Sequence, residues 1–141
     1  MAGPEVFGTN PYAANLPVRG QIVTVLRGIT DGRGLKLEAY RSRAVPAGQI
    51  HELMVTDEPA EPGSIANRVG LIGFFVVRDP GVILVGAPVR IGGRPIGTVA
   101  GFDDTHIPNH QNICLKVDEL VDGLGLGLAL NDAVTFGEDQ T

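Results

Sequence analysis

Apolar runs in this chain are short, and glycine or proline closes most of them. That punctuation restricts the accessible folds more than any other feature. Inside a helix, glycine costs about 1 kcal/mol and proline about 3 kcal/mol relative to alanine, whereas both residues suit turns. The 20 glycines and 10 prolines are about a fifth of the 141 residues and are spread along the chain rather than massed in one block. Disorder needs low hydrophobicity, and 43% of the residues here are apolar. Short apolar runs between frequent turn signals predict an all-β fold.

The runs themselves read as strands. In "VRGQIVTVLRGI", Ile22, Thr24 and Leu26 alternate with Val23 and Val25, the two-residue period of a pleated strand. "DGRG" at 31–34 signals a turn, and "LKLEAYR" then alternates Leu35, Leu37 and Ala39 against Lys36, Glu38 and Tyr40. "QIHELMV" places His51, Leu53 and Val55 on one face and Ile50, Glu52 and Met54 on the other, with Glu52 expected in solvent. "TDEPAEPGS" is a loop by composition. "IANRVGLIGFFVV" reads as a strand, since its glycines disfavour a helix and "FFVV" favours β, with room for a short helical lead-in near Ile65. In "VILVGAPVRIGGRPIGTVAGF", Gly92-Gly93 links two alternating runs, which predicts a tight hairpin of the primed type, whose turn needs positive φ. "QNICLKV" supplies another strand, with Ile113, Leu115 and Val117 on one face, and "GLGLGLALNDAVTF" ends in a last short one. The glycines of "GLGLG" lack a lysine, a serine or a following helix start, so they are read as packing against a neighbouring backbone, not as a phosphate loop. The best helix candidate is a turn or two in "KVDELVDGL", with Gly123 as its C-cap.

The expected architecture is a small closed or nearly closed β-barrel with one short helix at most, because closure removes exposed sheet edges. Residues 1–17 read as an extended arm pinned by Phe7 and Tyr12, residues 18–137 as one domain, and 138–141 as a tail. The net charge of −5 and the scattered 11 basic residues argue against a nucleic-acid surface. The single Cys114 cannot form an internal disulfide. The start "MAGPEVFGTNPYAANLP" has no basic and apolar leader pattern, and no apolar stretch is long enough for a helical membrane span. The expectation is a cytoplasmic protein, assembled as a homo-oligomer through its arm.

"GAPVRIGGRPIGTVAGF", then a polar connection, "NICLKV" and a late "LNDAVTFGE" resemble the C-terminal half of the glucitol/sorbitol-specific enzyme IIA family of the phosphotransferase system, over residues 81–136. The resemblance implies a small β-barrel. It also implies a phosphocarrier reading, although that family's Ile-His-x-His segment has only "QIHELMV", with His51, as its counterpart here, and its strand-opening histidine falls on Asn112. The "PNHQN" element points instead to an uncharacterised family.

Chemistry concentrates in "GFDDTHIPNHQNI", which holds two of the chain's three histidines. His106 and His110 are four apart, but Pro108 between them breaks the helix that a zinc dyad of the HExxH kind needs. Asp103 or Asp104 is placed to orient His106 as a general base, and Asn109 and Asn112 to donate to a developing oxyanion. The competing reading is a solvated loop with Asx-turns. His51 shares a face with Leu53 and Val55 and reads either as a core histidine or as a wall of a barrel pocket. If a metal is bound, His51, His106 and His110 are its candidate ligands. Cys114 reads as a packed apolar residue.

These residues lead to an expected cofactor-free acid/base enzyme of isomerase, cyclase or lyase type, with catalytic His106, His110, Asp103 and Asp104 and substrate-binding Asn109, Asn112 and His51. Its substrate is expected to be a small, largely apolar or carbonyl-bearing molecule held in a barrel pocket. A non-catalytic small-molecule-binding or regulatory module and a phosphocarrier are the alternatives.

Overall fold

Seven strands close on themselves. In the computed structural model, which describes residues 11–138, the central strands are β1 (Val18–Val25), β5 (Ile50–Thr56), β7 (Val69–Asp79), β9 (Pro88–Ile91), β10 (Arg94–Asp103), β11 (Asn112–Lys116) and β12 (Ala133–Phe136). Their hydrogen-bonded order is β1-β12-β9-β10-β11-β5-β7, and β7 returns to β1 to complete the ring. The expected closed or nearly closed β-barrel takes this form. The short strand β2 (Ile29–Thr30) extends the sheet beyond β7, and two small ladders pair β3 (Leu35–Lys36) with β6 (Ile65–Ala66) and β4 (Ser42–Val45) with β8 (Gly81–Leu84). The ring's pairings are antiparallel except β5 with β11, which run parallel.

Alternation explains the filling of the ring. Each strand sends every second side chain inward, and Ile22, Leu53, Phe75, Phe102, Ile113, Val134 and Phe136 meet in one buried cluster. A second cluster lies outside the ring. There Leu35 and Leu37 cover Met54, Ala100 and Cys114. Strand β5 is therefore buried on both faces, apart from Ile50 at its start.

The Gly92-Gly93 hairpin is as expected. β9 and β10 pair directly across it, Ile91 opposite Arg94, and the two glycines have φ of 60° and 80°. Replacing Gly93 by valine forces a β-branched residue into the left-handed region. The expected loss is about 1–2 kcal/mol, read as a lower midpoint in urea unfolding, and an unchanged midpoint rejects the turn assignment.

Other expectations need correction. "LKLEAYR" pairs as a strand only at Leu35–Lys36, and Ala39 is exposed. The segment crosses the outside of the ring, with Leu37 N–H bonded to the Ser64 carbonyl and Glu38 N–H to that of Phe102. Ile65 opens a two-residue strand, not a helical lead-in. The helix, α1 (Gly123–Leu126), follows Asp122 instead of preceding Gly123: the Asp122 carboxylate accepts from Gly125 N–H as N-cap, and Gly127 closes the helix at φ 71°. Of the "GLGLG" glycines Gly123 meets backbone as anticipated, while Gly125 faces the Asp122 and Val121 side chains and Gly127 faces open space. A Cβ on Gly123 would lie 2.0 Å from the Ile72 carbonyl oxygen. Of the arm residues, Phe7 lies outside the described residues, and the Tyr12 hydroxyl donates to Ser42 Oγ. Among the described residues no helix is long and apolar enough to cross a membrane.

Candidate functional site at the rim of the ring

Because β5 and β11 run parallel, both begin at the same end of the ring, with Glu52 opposite Asn112. The turn before β5 and the connection 104–111 between β10 and β11 therefore meet at one rim. They enclose a cleft of about 250 Å³ walled by Arg43, Gln49, His51, Pro108, Asn109 and His110. The ring interior is filled by core side chains, so the pocket expected inside a barrel is replaced by this cleft on its edge.

His51 joins the two walls. Its Nδ1 accepts from the Gln111 backbone N–H at 3.0 Å, and its Nε2–H donates to Gln49 Oε1 at 3.0 Å. Both nitrogens are thus spent in the neutral tautomer. The residue is only 3% exposed. Burial, with help from the positive charge of Arg43 and from His110, pushes its pKa down to about 4. His51 is an uncharged wall of the cleft.

The two aspartates take up structural work. Asp103 is buried, with Oδ2 accepting from Lys36 N–H and Oδ1 from Thr105 N–H and the Asn112 amide. Asp104 accepts from the Tyr40 hydroxyl and the Gln111 amide. Burial, and then the hydrogen bond to Asp104, push the Tyr40 pKa upward, which keeps its phenol protonated. Gln111 Oε1 in turn accepts from Arg43 Nε at 2.5 Å. The expectation that Asp103 or Asp104 orients His106 is replaced by these pairings: both carboxylates fasten the connection to the body.

The carboxylate that reaches a histidine ring is Glu52. It is 7% exposed, on the outer face of β5, and not the solvated group that alternation implied. Its Oε1 lies 3.4 Å from His110 Nε2. That nitrogen is buried and makes no hydrogen bond among the described residues. On the other side of the ring, His110 Nδ1 stands 2.7 Å from Asn109 Oδ1, so a neutral His110 carries its proton on Nδ1 and turns the Nε2 lone pair toward Glu52. Burial raises the Glu52 pKa, with Arg33 and His106 acting weakly against it. His106 stacks on His110 with centroids 5.0 Å apart, and Phe74 meets His110 edge-on at 5.1 Å. Glu52 and His110 thus face one another beside the rings of Phe74 and His106.

Of the sequence-predicted site residues, His51, Asn109 and His110 line the cleft together, while His106 is exposed above it. Asn112 is fully buried, its amide nitrogen given to Asp103 and its Oδ1 without a partner among the described residues. His51 faces Gln49 and Gln111 rather than the other two rings, and among the described residues no group of three or more His, Cys, Asp or Glu is placed to hold a metal ion. Cys114 is buried, and burial pushes its thiol up to about 12. Sequence reasoning missed Glu52, Arg43, Tyr40 and Gln111. No local signal marks Glu52, because alternation alone places it in solvent.

Fold and rim together define a small all-β protein, a closed seven-stranded ring carrying one polar cleft at the start of its parallel strand pair. More narrowly, residues 12–137 match a family described as "Family of unknown function (DUF6917)", and the chain belongs to that family. No curated protein and no solved structure matches it. The resemblance of residues 81–136 to the glucitol/sorbitol-specific enzyme IIA family finds no support in these comparisons.

Proposed function

We propose that this protein is an acid/base enzyme of isomerase, cyclase or lyase type that moves a proton on a small carbonyl-bearing molecule in the rim cleft. One observation carries the reading: a buried carboxyl, Glu52, faces the unpartnered Nε2 of His110 at the wall of a cleft. Burial raises the Glu52 pKa, the direction that lets a carboxyl give a proton as well as take one. His110 is the general acid/base: its Nδ1–H meets substrate in place of Asn109 Oδ1 and gives up its proton there while Nε2 takes one from Glu52, the reservoir behind it, and the reverse transfer restores both. Asn109 fixes the ring tautomer, a role that an aspartate was expected to play. A cleft of this volume admits a metabolite of a few heavy atoms rather than a large ligand.

The proposal is tested by incubating the protein in D2O with a panel of small ketones and 2-oxo acids and following loss of the α-proton signal by NMR. Exchange is expected to fall by about a hundredfold or more in Glu52→Gln and in His110→Phe. The His110 Nε2 ¹⁵N resonance should also move in Glu52→Gln. Exchange that persists in both variants, or a His110 resonance indifferent to Glu52→Gln, rejects the assignment.

A further inference from the structure

Arg43 is the one residue of permanent charge on the wall of the rim cleft, in a protein whose net charge is −5. It also lines an adjoining cleft of about 420 Å³ with Tyr40, Asp104 and Ile107, so the guanidinium stands on the partition between the two. Among the described residues Arg78, Arg90 and Arg94 bond neutral groups on the open surface, whereas Arg68 is held by Asp57 and Asp31. Arg43 instead spends Nε on Gln111 Oε1 and Nη1 on the Ala44 carbonyl. Both partners are neutral, and among the described residues no carboxylate forms an ion pair with it.

That arrangement orients the fork without discharging it. A guanidinium has five N–H donors in fixed geometry, and two hydrogen bonds leave the Nη2 end to be satisfied. Gln111 is itself held by Tyr40 and Asp104, and its backbone N–H fixes His51. The position of Arg43 is thus tied to the same connection that carries His110. The carboxylate nearest the second cleft, Asp104, is already occupied by Tyr40 and Gln111. Pre-organised donors of this kind bind planar oxyanions in bidentate fashion and lose little side-chain entropy in doing so.

We infer that the rim cleft binds a small carboxylate, that Arg43 is its anion-binding residue, and that His51 and His110 flank the bound anion. The inference names the substrate class of the acid/base site and rests on that reading for what happens to the bound molecule. A carboxylate fits better than a phosphate. The wall offers one planar fork and no glycine-rich nest of backbone N–H groups, whereas phosphate sites gather several donors.

Sodium pyruvate, methyl pyruvate and inorganic phosphate are the probes, and the ring resonances of His51 and His110 in labelled protein are the readout. Pyruvate is expected to shift both sets saturably, while methyl pyruvate, which keeps the carbonyl but lacks the charge, leaves them in place. Arg43→Gln should weaken pyruvate binding by about tenfold or more, and Arg43→Lys, which keeps the charge without the fork, should weaken it less. Retained dispersion of the remaining amide signals shows that either variant is folded. Glu52→Gln should bind pyruvate as the wild type does, so that loss of proton exchange with binding intact belongs to the catalytic reading alone. Equal shifts with methyl pyruvate, undiminished binding in Arg43→Gln, or no response to pyruvate overturns the inference. A response to phosphate at lower concentration than to pyruvate overturns the choice of carboxylate.

Discussion

Phe75→Ala is expected to cost about 3–5 kcal/mol of stability, the largest loss from any single truncation proposed for this protein. Phe75 is fully buried on β7, the strand that pairs with both β5 and β1 and so closes the ring. Its ring packs against Phe136 of β12 at 5.2 Å between centroids and approaches His51 at 6.3 Å. One side chain therefore touches elements from far apart in the chain. A cavity there loses contacts on several strands, and a closed ring collapses onto it poorly because each strand is held on both sides. Urea unfolding followed by circular dichroism measures the loss. A change below about 1 kcal/mol, the typical effect of an ordinary substitution, means that the interior is not packed around this ring.

The second large effect is with pH. His51 has a pKa of about 4 in the folded protein against 6.5 ordinarily. Between those values the unfolded chain takes up a proton that the folded protein refuses, so stability falls as pH falls from 6.5 toward 4. The full interval is worth about 3 kcal/mol. Glu52 acts with the opposite sign. Its folded pKa is raised above 4.5, so the folded protein keeps a proton that the unfolded chain releases, and that contribution is present below 4.5 and lost as pH rises. The two oppose each other where their windows overlap. Glu52→Gln removes the opposition, and its stability should fall more steeply on acidification than that of the wild type. The lowered carboxyls of Asp57, held by Arg68, and Asp122, held by the Gly28 N–H, act below 3.8, outside this window. Urea midpoints measured in both proteins across the window check the claim. A flat profile in Glu52→Gln shows that His51 protonates without cost.

How far the sequence could be read depended on the range of the interaction. The hairpin at Gly92-Gly93 was legible because its cause is local: two residues with positive φ between two alternating runs. The inward faces of β5 and β11 were legible for the same reason, since pleating alone sets them. The outer layer was not. Nothing near Glu52 announces that Leu35 and Leu37 fold over that face of β5, and alternation alone puts a carboxylate there in water. The helix was displaced by a few residues because Asp122 and Gly123 fit either end of a helix until the Ile72 backbone fixes the orientation. For the candidate site, residue types in "GFDDTHIPNHQNI" pointed to the loop that walls the rim cleft, with His110 in it. They did not show that Asp103 and Asp104 would be consumed by Lys36, Thr105, Tyr40 and Gln111, leaving the role of partner to a strand fifty-odd residues earlier.

The parallel pairing of β5 with β11 has a kinetic meaning as well. Arg43 meets Gln111 across 68 positions and His51 meets the same residue across 60, and no local element brings either pair together. Contacts of such separation carry the entropy of a long loop and form only once the intervening chain is in place. The cleft is thus absent from any species in which β5 and β11 have not yet paired. The two walls of the cleft come together in the step that seals the β5–β11 seam, and a chain in which that seam is open has neither the Arg43–Gln111 nor the His51–Gln111 contact.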